Sequence, residues 1–169
     1  CTALYYGHLH RQHLDFDALE RLARDRPRWR LVLVGPVRTS HGWPANVILP
    51  GQVPHGELRV WIDQADVLLL PYVLNRYTEA VMPAKTYECL ATGRPIVATP
   101  LPELAAGFSD CMDFVTPGGD WAPAIQSALA RDHMADQQRR IRIAESNAWS
   151  CRFEELQTAL GPLDESGRQ

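Results

Sequence analysis

The run Val67-Leu68-Leu69-Leu70, closed by Pro71-Tyr72, limits the possible folds more sharply than any other segment. Four apolar residues without polar alternation leave no face for solvent, and the run is too short for a buried helix. A strand covered on both faces meets these conditions, and such strands belong to parallel sheets flanked by helices. Leu31-Val32-Leu33-Val34, ahead of Gly35-Pro36, and Ile96-Val97-Ala98, behind Pro95, repeat the pattern. Weaker strands are expected at 2–7, at 46–49 and at 113–116.

Between the strands the apolar period becomes helical. In 15–26, Phe16, Leu19, Leu22 and Ala23 share a face, with Asp15 placed to cap the first turn and Pro27 to stop the last. Residues 55–64 carry Leu58, Trp61 and Ile62 on one side, and one turn is expected at 101–107. Residues 121–160 read as helical, with Ala128, Leu129, Ile141, Ile143, Ala144, Phe153, Leu156 and Leu160 as core contacts. Residues 37–45 read as a polar loop. Alternating strands and helices joined by right-handed crossovers predict an α/β fold, a Rossmann-like doubly wound parallel sheet with helices on both faces. A ligand would lie at the carboxyl ends of the strands, where the segments after Gly7, Gly35, Gly51, Tyr72 and Thr99 converge. One domain over 1–162 is expected, with a polar tail at 163–169.

The chain has 169 residues, 46% hydrophobic and 22% charged, enough for one globular core. A net charge of −3 argues against nucleic acid as a partner, because a phosphate backbone needs clustered Lys and Arg. Arg139, Arg140 and Arg142 form the one basic run and read as a solvated helix face. Cys1, Cys89, Cys111 and Cys151 lack paired or metal-ligand spacing, and Cys89 and Cys111 read as reduced core thiols, which fits a cytosolic compartment. His8, His10 and His13 are close together, but no Cys or carboxylate set completes a metal site. They read as loop and helix-start residues. No apolar run approaches the ~20 residues of a membrane helix. The first residues read as a strand rather than a signal peptide, and without an initial Met the chain is expected to be part of something larger or trimmed. GxGxxG, GxxxxGK[ST] and GxSxG are missing, which argues against a dinucleotide fingerprint, a P-loop and a serine-hydrolase elbow.

Chemistry then concentrates in Pro83-Ala84-Lys85-Thr86-Tyr87-Glu88-Cys89-Leu90-Ala91-Thr92-Gly93-Arg94-Pro95. Pro83 suits a first helical turn, Gly93 a left-handed helix end, and Pro95 blocks continuation. Glu88 stands among apolar neighbours and needs a polar partner. That partner is either a ligand or a nearby cation, Lys85 or Arg94.

This segment, with Pro71-Tyr72, Asn75 and Thr78-Glu79 before it and Ile96-Val97-Ala98-Thr99 after it, resembles the donor-binding half of GT-B glycosyltransferases. It is most similar to the retaining group 1 (family 4) enzymes that include bacterial glycan and exopolysaccharide transferases. Tyr5-Tyr6-Gly7, Val32-Leu33-Val34-Gly35-Pro36, Ala65-Asp66-Val67 and Asn147-Ala148-Trp149 with Arg152 follow in that group's order. The resemblance implies that Glu88 accepts hydrogen bonds from the ribose hydroxyls of a nucleotide-sugar. A carboxylate suits a vicinal diol because it offers two acceptor oxygens. It also implies that 75–82 passes under the diphosphate and sugar, where backbone N–H groups of Ala80, Val81 and Met82 hold anionic oxygens. The family's glutamate pair stands eight residues apart, and eight before Glu88 is Ala80. Glu79 is therefore either the donor-sugar contact on a longer loop or an exposed acid, with Asn75 and Thr78 as alternative contacts. Many relatives place an Arg and a Lys after the first strand, whereas here Gly7-His8-Leu9-His10-Arg11 follows. Gly7 would let backbone approach the phosphates, and Arg11 or Lys85, the only lysine, is the candidate cation for the leaving nucleoside diphosphate. Gly51 would border the base.

The resemblance implies a glycosyl transfer from a UDP- or GDP-type donor to a glycan or lipid-linked acceptor, with no metal or other cofactor. The acceptor-binding N-terminal domain lies outside this chain, so the chain alone is expected to be inactive. A cytoplasmic protein is expected, at most peripheral at the inner membrane through its parent. The alternatives are a sugar-nucleotide epimerase of the same architecture and a non-catalytic scaffold.

Overall fold

The computed structural model describes residues 1–37 and 41–160. The strands are β1 (Thr2–Tyr6), β2 (Arg30–Val34), β3 (Val47–Gly51), β4 (Val67–Leu70), β5 (Ile96–Ala98) and β6 (Asp113–Phe114). The helices are α1 (Phe16–Asp25), α2 (His55–Asp63), α3 (Thr86–Ala91), α4 (Pro102–Phe108), α5 (Trp121–Arg131), α6 (Met134–Ser146) and α7 (Trp149–Leu160). The strands form one parallel sheet in the order β3-β2-β1-β4-β5-β6, the doubly wound arrangement expected from the sequence. The central strands send alternate residues to opposite faces. Ala3, Tyr5, Leu31, Leu33, Val67 and Leu69 meet α1 and α5, while Leu4, Tyr6, Val32, Leu68 and Leu70 meet α3 and α4. Both faces are covered, which is why Val67–Leu70 needs no polar alternation.

Local signals place several boundaries. Asp15 caps α1 by accepting from the Ala18 N–H at 2.8 Å, and Asp120 caps α5 from the Ala122 N–H at 2.9 Å. Gly93 takes the left-handed conformation (φ 71°) that ends α3. Cys89 and Cys111 are buried free thiols.

Three expectations need correction, and the helical reading of 121–160 gains its internal breaks. Pro83 does not open α3: Pro83 to Lys85 form a turn, with the Thr86 N–H bonded to the Pro83 carbonyl at 2.9 Å, and the helix begins at Thr86. The helical stretch 121–160 is three helices, parted at Asp132-His133 and Asn147-Ala148. Phe153, Leu156 and Leu160 are exposed on α7 rather than core contacts. Arg140 is not on a solvated face. It is 5% exposed, gives two hydrogen bonds to the Gly93 carbonyl and pairs with Asp132, so it fastens α6 to the end of α3. The sequence could not reveal this, because helical charge runs look alike until a neighbour is packed. The tail at 163–169 and part of the loop 37–45 lie outside the described residues.

Candidate functional site at the switch point of the sheet

β1 pairs with β2 on one side and β4 on the other. Connections leave in opposite directions there, and the two loops part to open a crevice. A cavity of about 250 Å³ lies in it, lined among others by Tyr5, His8, His13, Tyr72, Thr78 and Lys85.

Lys85 is the centre of this site. The turn ahead of α3 aims its chain under the end of β1. There Nζ donates to the Tyr6 carbonyl and, at 3.2 Å, to the Tyr5 hydroxyl, and it lies 4.2 Å from the centre of the Tyr5 ring. Burial lowers its pKa from 10.5 to about 8, a shift that Cys89 and Glu88 partly oppose. The same desolvation pushes the Tyr5, Tyr6 and Tyr72 phenols above their ordinary range. Among the described residues Lys85 has no acid in salt-bridge contact; the groups holding it are a carbonyl, a hydroxyl and two aromatic faces. A half-buried cation held by such dipoles is arranged to meet an anion.

Gly7 makes this placement possible. Its φ is 135°, and a Cβ there would fall 2.1 Å from Lys85 Nζ and 2.9 Å from the Tyr5 hydroxyl. Backbone approach was expected at Gly7, and the space left by its missing side chain holds the lysine amine.

The loop after β4 is braced from within. The Asn75 side-chain oxygen accepts from the Tyr77 and Thr78 N–H groups at 2.9 and 3.0 Å, and the Thr78 hydroxyl, buried, donates to the Val73 carbonyl at 2.5 Å. Asn75 Nδ2 also donates to the Gln12 carbonyl at 3.1 Å, tying this loop to the one after β1. Asn75 and Thr78 therefore act first as scaffold. The Ala80 and Val81 N–H groups already bond to the Tyr77 and Thr78 carbonyls, at 3.3 and 3.2 Å, inside a short 3₁₀ turn. Met82 packs against the core on the α3 face. Glu79 is exposed and does not line the cavity.

The remaining candidates lie apart. Arg11 turns towards α1, paired with Asp17 at 3.6 Å, bonded to His41 Nδ1 at 2.8 Å and set over the Phe16 ring. Gly51 closes β3, two strands from β1, with its carbonyl accepting from the Gly35 N–H at 2.8 Å. Glu88 is on the exposed side of α3 and lines a groove with Arg59 and Arg94, so its neighbours in sequence do not bury it. Neither expected cation pairs with it. Lys85 is engaged at Tyr6, and Arg94 donates to the Asp63 carbonyl at 2.8 Å. Glu88 is still close enough for its charge to act on Lys85 and Tyr6.

Sequence reasoning treated His8 and His13 as plain loop residues and passed over Tyr77. The available signal was position: all three sit just beyond the carboxyl ends of strands flanking the switch point. Among the described residues no group of three His, Cys, Asp or Glu side chains could hold a metal ion.

The strand order and the cationic crevice at its reversal define a Rossmann-like, doubly wound ligand-binding domain. The chain belongs to the family described as "Glycosyl transferases group 1", whose profile matches residues 1–131. It is 28% identical over 160 residues to the putative teichuronic acid biosynthesis glycosyltransferase TuaH of Bacillus subtilis (strain 168), a match covering 88% of this chain and 40% of that protein. In three dimensions it is similar to sucrose-phosphate synthase from Thermosynechococcus elongatus (TM-score 0.70, 22% identity, 94% of this chain and 45% of that one). It is also similar to Anabaena HepE in complex with UDP and glucose (TM-score 0.70, 14% identity, 95% and 48%). The chain thus spans less than half the length of these proteins. None of its described helices is long and apolar enough to cross a membrane.

Proposed function

We propose that this chain is the donor-binding domain of a glycosyltransferase, taking a nucleoside diphosphate sugar of the UDP or GDP type at the β1/β4 crevice. The observation that carries the reading is Lys85, a half-buried cation with no acid in salt-bridge contact among the described residues, facing a cavity at the one place where a doubly wound sheet offers a ligand site. Family membership supports it, as does the likeness to a fold solved with UDP and glucose. Lys85 would neutralise the diphosphate and stabilise it as the leaving group gains charge. Glu88, unpaired and solvent-facing, would reach the ribose hydroxyls, which places the nucleoside over α3 and the sugar towards Tyr77 and Thr78. Binding would rest on protein cations rather than a metal. The acceptor, a glycan or lipid-linked saccharide by likeness to the teichuronic acid enzyme, would enter from an N-terminal domain on the far side of the crevice. The whole enzyme would work in the cytoplasm in glycan biosynthesis, at most peripheral to the membrane.

Calorimetric titration with UDP-glucose and GDP-mannose tests this. One of them is expected to bind, and Glu88→Ala is expected to weaken it roughly ten- to a hundredfold, the loss of charge-assisted hydrogen bonds worth roughly 1.5–3 kcal/mol. Unchanged affinity in that variant would remove the ribose role. Failure of both donors to bind would remove the reading itself. The chain alone is expected to give no sugar transfer.

A further inference from the structure

The switch-point cavity holds three basic side chains and no acid. Lys85 is one; the others are His8 and His13, from the segment following β1. The backbone of His13 is fixed by its N–H bond to the His10 carbonyl at 3.0 Å and by the Val73 N–H on its own carbonyl at 2.9 Å. Its ring packs against Tyr77 and His10, with centres 5.2 and 5.6 Å away. Its Nδ1 is nevertheless shielded from water and has no hydrogen-bond partner. Leaving a buried polar atom unpaired costs about 1–3 kcal/mol, and folded chains rarely do so where nothing arrives to pair with it. His8 is exposed at the rim, and its carbonyl accepts from the Tyr5 hydroxyl at 3.3 Å, the same group that supports Lys85. The titratable groups facing the two rings are Lys85, Tyr5, Tyr72, Tyr77 and His10. The charged groups on the flanking loops, Arg11, Arg76 and Glu79, and Asp17 beyond them, do not line the cavity.

We propose that His8 and His13, as imidazolium ions, join Lys85 in holding the donor's diphosphate, so that donor affinity is set by pH through these histidines. The proposal rests on the nucleotide-sugar reading above. A neutral imidazole offers one N–H donor, whereas an imidazolium offers two together with a charge. Hydrogen bonds to a charged partner are about twice as strong as neutral ones. Near pH 7.5 the lysine is the main cation facing two phosphate charges; in mild acid three cations face them. Each histidine that gains a proton on binding strengthens the complex about tenfold per unit by which the ligand raises its pKa.

The probes are UDP-glucose and GDP-mannose, whose diphosphates are esterified at both ends and keep constant charge across the range. Affinity is measured from pH 5.5 to 7.5 for the wild type and for the double variant His8→Asn with His13→Asn. The wild type is expected to bind about tenfold tighter at pH 5.5 than at 7.5, and the double variant to lose that dependence. In case the variant is unstable, the imidazole NMR resonances of the wild type give a second readout: the pKa of His8 and His13 should rise when donor is added. Binding that is independent of pH, a dependence that survives in the variant, or imidazole resonances that do not respond would each overturn the role of the histidines and leave donor binding standing. No binding of either donor at any pH would overturn both.

Discussion

Replacing Lys85 by Met tests whether the crevice is built around a strained cation. Methionine keeps most of the length of the side chain, so that it can still pack on the Tyr5 and Tyr6 rings, but removes the charge. The folded-state pKa of about 8, against an ordinary 10.5, means that burial disfavours the protonated amine. At about 1.36 kcal/mol per pKa unit, holding that charge inside costs on the order of 3 kcal/mol at pH 7. The unfolded chain binds this proton more tightly than the folded one, so the penalty is full below pH 8 and fades as pH rises towards 10.5. Lys85→Met is therefore expected to be the more stable protein at pH 7, and its advantage should shrink by roughly 1 kcal/mol by pH 9. Cys89 and Cys111, pushed up to about 11, act in the opposite sense: they remove stability as pH climbs through 9. Losing Lys85 can only raise Cys89 further, so in either protein both thiols stay protonated in the fold up to pH 9 and their effect cancels in the difference. Urea unfolding of the two proteins between pH 7 and 9 measures it. Nucleotide affinity should move the other way and fall at least tenfold in the variant. A stability difference that stays flat over this range would refute the reasoning, because the lysine would then not be desolvated.

Gly7→Ala should displace the Lys85 amine, since the new methyl overlaps Nζ on backbone that L-residues avoid. A loss of roughly 2–4 kcal/mol in chemical denaturation, with weakened nucleotide binding, is the expected outcome. Arg140→Met breaks the tie to Gly93 and leaves the nearly buried Asp132 carboxylate with the Gln137 amide but no cation, so a loss of about 3 kcal/mol is expected in the same assay. Adding Asp132→Asn to Arg140→Met should return part of that loss, which would show that the stranded charge, rather than packing alone, is responsible.

The fold was legible because its signals are local. Val67–Leu70 and Leu31–Val34 announce strands covered on both faces, Asp15 caps a helix within four residues, and Gly93 marks a helix end whose conformation it shares with few other residue types. The same kind of signal fails where packing decides. Arg140 belongs to an apparently solvated basic run yet is buried, because α6 lies against α3 and the Gly93 carbonyl is free to accept. Phe153, Leu156 and Leu160 have the spacing of a core-facing helix and stay exposed, because no residue of α7 is buried among the described ones.

The site divides in the same way. Resemblance to a known family pointed to a nucleotide-sugar domain, with Glu88 and Glu79 as its candidate acids and Lys85 or Arg11 as its candidate cation. The sequence determined the alternation of buried strands and amphipathic helices, and with it a doubly wound sheet, because hydrophobic period and turn chemistry act over a few residues. Which side chains meet was decided only by the tertiary structure. Lys85 lies under Gly7, 78 residues away in the chain, and His8, His13 and Tyr77 gather at one cavity, because the reversal of strand order between β1 and β4 brings two distant loops together. Their contacts depend on that crossing of the chain, which no short stretch of residues encodes.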